Sequence, residues 1–441
     1  MAPSTTRPDS RSLDLRAPRS GAVPLADSSP ETELLAPVLI GRSEPGRRLE
    51  IGVLLERLHA GGPAFAWFSP EGDVLAGFGA VARFEGSGPG RFRAAQAWLR
   101  GLAEASMADE SGAEPPPIAV GGFSFADGSA GSAAGLGDAV FFVPAEIWVL
   151  GRNAGCFTWK RADGDASAPR LSPPFARPRL PEWTEKDWAA GVRAILDEIA
   201  VGPLEKAVLA RAVEIETPRA IDPVRVLGSL LDANPECYRY LFRPAGEASF
   251  VGASPERLVS LEGDRVLSEA VAGTAADAAL LDSGKDRSEH DFVVRHIVDA
   301  MAPLAHAVEA DASPSLQRHR HMAHLKKRIT GSARHGVHVL DFVERIHPTP
   351  AVAGSPRAYA LDVLRALEPS HRGWYAGAVG WMNADGNGDF TVAIRSAMIH
   401  ERRALLFAGA GIVAGSDPAA EWAETEIKLS VMREAIADAG R

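Results

Sequence analysis

This 441-residue sequence predicts an α+β fold: a single large domain with central, mainly antiparallel β-sheets flanked by helices. Three observations lead there. Short apolar runs punctuated by Gly, Pro and Asp recur in both halves of the chain. "LEGDRV" and "NADGNGDF" signal two tight hairpins in which Gly supplies the positive φ. Amphipathic helical stretches are interspersed among runs of hairpin-joined strands. No repeat of fixed period is visible, which argues against solenoids and propellers.

Taken in order, residues 1–30 are rich in Ser, Pro, Arg and Asp and are expected to form a disordered extension ahead of one domain over 31–441. From "ELLAPVLIGRS" the chain alternates apolar runs with turns, and "AFAWFSP", "DVLAGFGAVARF", "PIAVGGFSF", "AVFFVPAEIWVLG" and "GCFTWKRA" read as strands. A helix over Phe92–Met107 lies among them. A Pro-rich crossing near 163–183 then joins two halves of the domain.

The second half opens with a helix over Glu185–Ala200, which puts Trp188, Val192, Ile195, Leu196 and Ile199 on one side. Strands follow in "EKAVLARAVEIE", "CYRYLFRP", "SFVGASPERLVSLEGDRVLSEAVAGT" and the long run from Trp374 to Val413. Helices are expected over Ser283–Ala307, Ala358–Ala366 and Pro418–Asp438.

Composition narrows the function classes. With 46% hydrophobic and 24% charged residues the chain suits a soluble globular protein, and its net charge of -10 argues against nucleic acid or an anionic membrane as partner. The one basic run, Arg318–Arg328, is short and reads as a solvated or hinge-like segment. Cys156 and Cys237 are too few for a disulfide framework or a thiolate metal site and fit a reducing compartment. No run of about 18 apolar residues and no apolar signal core occur, so a cytoplasmic location is expected.

The last helix carries the first chemical signal. Asp417 can cap it and Pro418 suits its first position. At about 100° per residue, Glu421, Glu424 and Lys428 form one stripe, flanked by Trp422 and Leu429 on one side and Ile427 and Val431 on the other. Glu426, Ser430, Arg433 and Glu434 lie opposite as the wet face, so the charged stripe is expected to point inward. An i, i+4 pair between Glu424 and Lys428 explains part of this but leaves Glu421 and the preceding glycine-rich turn unaccounted for.

A second carboxylate, Glu289, shares a helix face with Phe292, Val293, His296 and Ala300. Two inward carboxylates from separate helices repel one another unless a cation lies between them. Oxygen ligands without Cys or regular His spacing favour Mg2+ over zinc. Lys206, before a strand whose alternation lets it face either way, and Glu256, after a Ser-Pro turn, form a candidate base and acid pair. Burial would ease proton loss from the lysine and tighten the proton on the glutamate.

Seven segments in order, "EKAVLAR", "GASPERL", "AVAGT", "KDRSEHD", "HPTPAVAG", "GAVGWMNADGNGDFTVAIRSAM" and "FAGAGIVAGSDPAAEWAETEIKLSVM", closely resemble the chorismate-utilising enzymes, and among them isochorismate synthase. The likeness runs from about Trp183 to Ala435. It implies the single large domain of that family, chorismate as substrate, Mg2+ as sole cofactor, and a monomer with no glutaminase partner.

Carried onto matching positions, the resemblance makes Lys206 the base that activates water for attack on C2 and Glu256 the acid that protonates the departing C4 hydroxyl. It makes Glu289 and Glu424 direct Mg2+ ligands, with Glu421 and Asp286 holding metal waters. Arg395 and Lys428 would bind substrate carboxylates. Gly273, Thr274, His324, Tyr375, Gly409, Ala410 and Gly411 would line the pocket, largely through backbone amides in the glycine turn, although His324 and Tyr375 suit a packing role equally well.

Lysine at position 206 marks the water-using branch, and "HPTPAVAGSPR" stands where ammonia-using relatives read "SGAPK". Salicylate synthases share the lysine but show a "TASG" type segment there. The resemblance therefore points to isochorismate synthase. Salicylate synthase and a non-catalytic chorismate-binding paralogue are the alternatives, and the product's destination (menaquinone, a siderophore or salicylate) stays open.

Overall fold

A computed structural model describes residues 38–46, 49–108, 116–128, 136–151, 154–162, 180–244, 248–275, 284–318 and 323–440. The expected 1–30 extension, and most of the 163–183 join, lie outside the described residues.

Two large sheets form the centre. The first has twelve strands in the order β18 (Gly354–Ser355), β10 (Lys206–Glu216), β22 (Arg403–Val413), β21 (Ser396–His400), β12 (Ala248–Ser254), β11 (Tyr238–Arg243), β2 (Ala64–Phe68), β3 (Val74–Phe78), β8 (Glu146–Leu150), β9 (Gly155–Arg161), β1 (Leu39–Pro45) and β5 (Met107–Ala108). The second runs β15 (Ala305–Ala310), β17 (Ala323–Ala333), β14 (Arg265–Ala275), β13 (Arg257–Glu262), β20 (Gly388–Val392), β19 (Ala378–Asn383), β6 (Ile118–Phe123), β7 (Ala139–Val143) and β4 (Ala82–Gly86), with β16 (Ser315–Arg318) pairing β17. Only β1 with β5 is parallel among the described pairs. The expected α+β class holds.

Both predicted hairpins form. β13 and β14 turn at Gly263 with φ 62°, and β19 and β20 turn at Gly386 with φ 93°. The main core is rich in aromatic side chains, with Phe123, Phe141, Phe242, Phe390, Trp188 and Trp374 buried.

Eight described helices flank the sheets. α2 (Arg91–Ala105), α3 (Glu185–Val201), α7 (Arg357–Leu367) and α8 (Pro418–Ala439) lie close to their expected spans. The expected Ser283–Ala307 helix is shorter: α5 covers Gly284–Met301, because Pro303 cannot continue the hydrogen-bond ladder, and Ala305 opens β15 instead. Three helices were not read from the sequence: α1 (Ile51–His59), α4 (Pro223–Ala233) and α6 (Val339–Ile346). α4 does carry a start signal, Asp222 accepting from Val224 N and Arg225 N ahead of Pro223.

The basic run expected to be solvated or hinge-like is corrected in part. Its described residues lie in β16 and β17, where His324 and Leu325 are buried and Lys326 Nζ pairs with Glu269 at 2.7 Å.

Candidate active site

Two of the places where the chain passes from one sheet to the other are bonded together. One leads from β12 through Pro255 and Glu256 into β13, and the other leads from β20 through Ala393–Arg395 into β21. Val392 N donates to Glu256 O at 3.1 Å, Thr391 Oγ1 to the same oxygen at 2.6 Å, Ser254 Oγ to Val392 O at 2.6 Å, and Ala253 N to Arg395 O at 3.0 Å. The crossings therefore fix the backbones of Glu256 and Arg395 beside each other.

Glu256 is 2% exposed, and its Oε1 has no hydrogen-bond partner among the described residues. Burial pushes its pKa up to about 8, against the opposing pull of the Lys206 and Arg395 charges; Glu269 pushes it further up and the Thr349 hydroxyl pulls it slightly down. Near neutral pH this carboxyl keeps its proton. Arg395 is also buried, and desolvation lowers its pKa from the ordinary guanidinium value. His324 Nδ1 donates to Gly273 O at 2.8 Å, so its Nε2 can accept from Arg395 Nη2 at 3.4 Å. Gly273, at φ 73°, sits at the far end of β14, where most side chains would be strained.

Lys206 begins β10 between β18 and β22, and its side chain is completely buried. Its Nζ donates to Glu289 Oε1 at 2.8 Å, the carboxylate arriving from α5, which packs on β14. The alternation that left the lysine free to face either way resolves inward.

The glycine-rich segment, read both as the end of the strand run to Val413 and as a turn, is a strand. Gly409, Ala410 and Gly411 belong to β22, and the turn follows at Gly415 with φ 84°. β21 accompanies β22 only as far as Leu406, so beyond that point β10 is its one strand partner among the described residues and no described strand pairs its other edge. A Cβ at Gly411 would stand 2.7 Å from Glu289 Oε1 and 3.0 Å from Lys206 Cε, so the lysine-glutamate pair itself requires glycine there. A Cβ at Gly409 would meet Leu209 O at 3.0 Å and the Tyr375 hydroxyl at 3.4 Å. Tyr375 is buried and stacked on Phe407, its ring 5.2 Å away. The intervening Ala410 is fully buried in the main core, so only its backbone belongs to that edge.

α8 brings Lys428 to this edge, where Nζ donates to Gly409 O at 2.8 Å and pairs with Glu424 Oε1 at 2.5 Å. The inward stripe is rotated from its expected position. Glu421 is 4% exposed and Thr425, Leu429 and Met432 continue its line, whereas Glu424 and Lys428 are half-buried at the margin. Ile427, expected to flank the core, is exposed. Glu426, expected on the wet face, joins the buried Arg211 and also accepts from Arg433 Nη1 at 2.5 Å. The Arg211 guanidinium also lies 3.7 Å over the Trp422 ring.

The structure thus gathers Lys206, Glu256, Glu289, His324, Gly273 and Arg395 with Gly409, Gly411, Tyr375, Glu424 and Lys428 along one strand edge and the crossings beside it. The backbone of Thr274 lies in β14, but its side chain and that of Asp286 lie outside the described residues. Glu289 and Glu424 each have a lysine partner, so the repulsion expected between two uncompensated carboxylates is already relieved. Among the described residues no three His, Cys, Asp or Glu side chains converge closely enough to hold a metal ion. A magnesium ion needs only one or two protein carboxylates, because it keeps several waters and binds substrate oxygens. Glu289 beside Gly411, and Glu424 reached through Lys428 beside Gly409, are two carboxylates of that kind along the same strand.

Sequence reasoning missed Thr349, which is buried beside Glu256, and the Glu368–Arg372 pair that completes the edge of β10. There, Ala210 N donates to Glu368 Oε1 at 3.0 Å and Arg372 donates to Val208 O. No periodicity marks such side-chain substitutes for a neighbouring strand.

Comparison with known proteins fits this geometry. The sequence is 35% identical over 356 residues to isochorismate synthase MenF of Bacillus subtilis, covering 73% of this chain and 74% of that one. It is 39% identical over 290 residues to a salicylate biosynthesis isochorismate synthase of Pseudomonas aeruginosa; that match takes in 63% of this chain but only 58% of the relative's length. Two solved structures share the fold: the menaquinone-specific isochorismate synthase MenF of Escherichia coli, with TM-score 0.75, 24% identity and coverage of 91% and 95%, and anthranilate synthase component I of Streptococcus pneumoniae, with TM-score 0.63, 20% identity and coverage of 93% and 94%. A family profile described as chorismate binding enzyme matches residues 159–437, the span that supplies every site residue above, and this chain belongs to that family.

Proposed function

We propose that this protein is an isochorismate synthase, converting chorismate into isochorismate with Mg2+ as cofactor. The shared fold does not choose the reaction, since it also serves anthranilate synthase. The observation that carries the reading is Glu256: a carboxyl buried without a hydrogen-bond partner for Oε1, holding its proton to about pH 8, with Lys206 as one of the charges acting on it. That is an acid kept loaded near a potential base.

In this reading Lys206, as the uncharged amine, takes a proton from water as its oxygen bonds to C2, and after turnover that proton returns through solvent to the Glu256 carboxylate. The ring double bond shifts, and Glu256 passes its proton to the C4 hydroxyl, which leaves as water. One water enters and one departs, so the net change is an isomerisation. Arg395 and Lys428 hold the substrate carboxylates, and the edge of β22 at Gly409–Gly411 admits the ring. Glu289 and Glu424 would hold the Mg2+, with Glu421 and Asp286 on its waters; the ion supplies charge neutralisation for a substrate carboxylate. Recruiting Glu289 to that ion would release Lys206 from its ion pair. Cys156 and Cys237 are not joined in a disulfide, and among the described residues no helix is long and apolar enough to cross a membrane; a cytoplasmic setting is part of the proposal.

Incubation with chorismate and Mg2+ tests the reading. Isochorismate is the expected product, and salicylate with pyruvate as main products would overturn it in favour of a salicylate synthase.

A further inference from the structure

One short segment, His347 to Ser355, runs beside both proposed reacting groups. At its far end it borders the strand of the lysine: Glu205 N donates to Ser355 O and Val208 N to Ala353 O, each at 2.8 Å, and Gly354–Ser355 pairs with Lys206–Ala207. At its near end a tight turn fixes Thr349, whose carbonyl accepts from Val352 N at 3.1 Å and Ala353 N at 2.9 Å. The Thr349 side chain is 1% exposed, and its Oγ1 makes no hydrogen bond among the described residues.

The Glu256 carboxyl, whose Oε1 is a second buried orphan, is its neighbour. The Thr349 hydroxyl is close enough to act on the carboxyl as a hydrogen-bond donor, although neither atom has a fully formed bond. Unpaired buried polar atoms are costly, and two side by side point to a bond that closes at some stage of the cycle. The rest of Glu256 is already restrained, its carbonyl accepting from Thr391 and Val392 and its N donating to Ser254 Oγ at 3.3 Å. Rotation of the carboxyl is what remains to be set.

We propose that Thr349 is a positioning residue for the acid: its hydroxyl donates to Glu256 Oε1, aims Oε2 with its proton at the departing hydroxyl, and holds the carboxylate once that proton has gone. This rests on the assignment of Glu256 as the acid. Thr349 keeps its own proton throughout and exchanges nothing with the substrate. Because the turn that holds Thr349 continues into the edge of β10, a single segment sets the acid relative to the base.

The test compares wild type, E256Q, T349V and T349S for isochorismate formation across pH, with a thermal melt on each. T349V is expected to lower kcat about tenfold with little change in KM, because a general acid contributes about 10²–10⁴-fold and is here misaimed, not removed. Losing a donor to the carboxylate also raises the acid's pKa, so the alkaline limb of the T349V profile moves up by about half a unit. T349S restores both rate and limb. T349A, which removes the hydroxyl without overpacking, takes the place of T349V if that variant does not fold. A wild type that makes no isochorismate, or an E256Q variant as fast as wild type, overturns the underlying reading. An active wild type and a slow E256Q, with T349V matching wild type in both rate and alkaline limb, overturn the Thr349 assignment alone.

Discussion

Glu256 and Arg257 are consecutive residues on one crossing, and their side chains meet different sets of charges, two chambers linked by Glu269, which acts on both. Arg257 meets carboxylates on three sides: Glu71 at 3.1 Å through both oxygens, Asp389 at 3.4 Å and Glu269 at 3.8 Å, with Lys326 on the far side of Glu269. Glu256 meets the charges of Lys206 and Arg395 without a hydrogen bond to Oε1. Burial raises the pKa of a carboxyl in both chambers, Asp389 to about 6 and Glu256 to about 8. The difference lies in compensation. Arg257 lies against Asp389 and holds it largely charged near neutrality, which makes a structural ion cluster, whereas Glu256 is left with its proton, which makes an acid.

The comparison breaks most sharply at the active chamber. Replacing Lys206 with Ala is expected to lower kcat for chorismate by about a thousandfold, measured as initial rate with saturating Mg2+. E256Q keeps the shape but not the transferable proton, and a fall of about a hundredfold or more is expected. It should also change stability. A carboxyl whose folded pKa exceeds its unfolded value contributes stability that is complete at low pH and is lost as pH rises through about 8. Denaturant unfolding of wild type should therefore weaken between about pH 5 and 8 relative to E256Q, and parallel curves would remove Glu256 as a group protonated by burial.

A smaller effect is expected at Gly411. In G411A the new methyl would push on Glu289 Oε1 and Lys206 Cε, both near the ends of flexible side chains, so the pair shifts at little cost to folding. About a tenfold loss of activity with a nearly unchanged melt is expected; a large drop in Tm with normal kcat would make the glycine a packing requirement only. The smallest effect on rate belongs to the other chamber. D389N should stay within about twofold of wild type in kcat, while removing a stability contribution that is lost as pH rises from the usual carboxylate range through about 6. A severe loss of rate in D389N would mean that the two chambers are coupled.

The sheets were legible because strand and hairpin signals are local: Gly263 and Gly386 sit where a positive φ is needed. The site was legible as a set of motifs, and the structure brings Lys206 to Glu289, Lys428 to Gly409 and Glu424, and His324 to Gly273 and Arg395. What periodicity could not supply was rotation and partnership. On α8, Glu426 meets the buried Arg211, a contact 215 residues distant in sequence. The glycine segment looked like a turn because Gly is common in turns, whereas at 411 its absent side chain makes room for Lys206 and Glu289. Pairing of Glu289 with Lys206 was equally hidden, since each residue type was assigned to a different task. Thr349 gave no signal, because a threonine in a Pro-rich loop does not announce which buried carboxyl it will meet.

The most direct test of the central claim is an infrared titration of carboxyl groups in wild type and E256Q. A protonated carboxyl band lost with a midpoint near pH 8 in wild type, and missing from E256Q, is the predicted result. A Glu256 signal that titrates in the ordinary range of exposed glutamates would contradict the account.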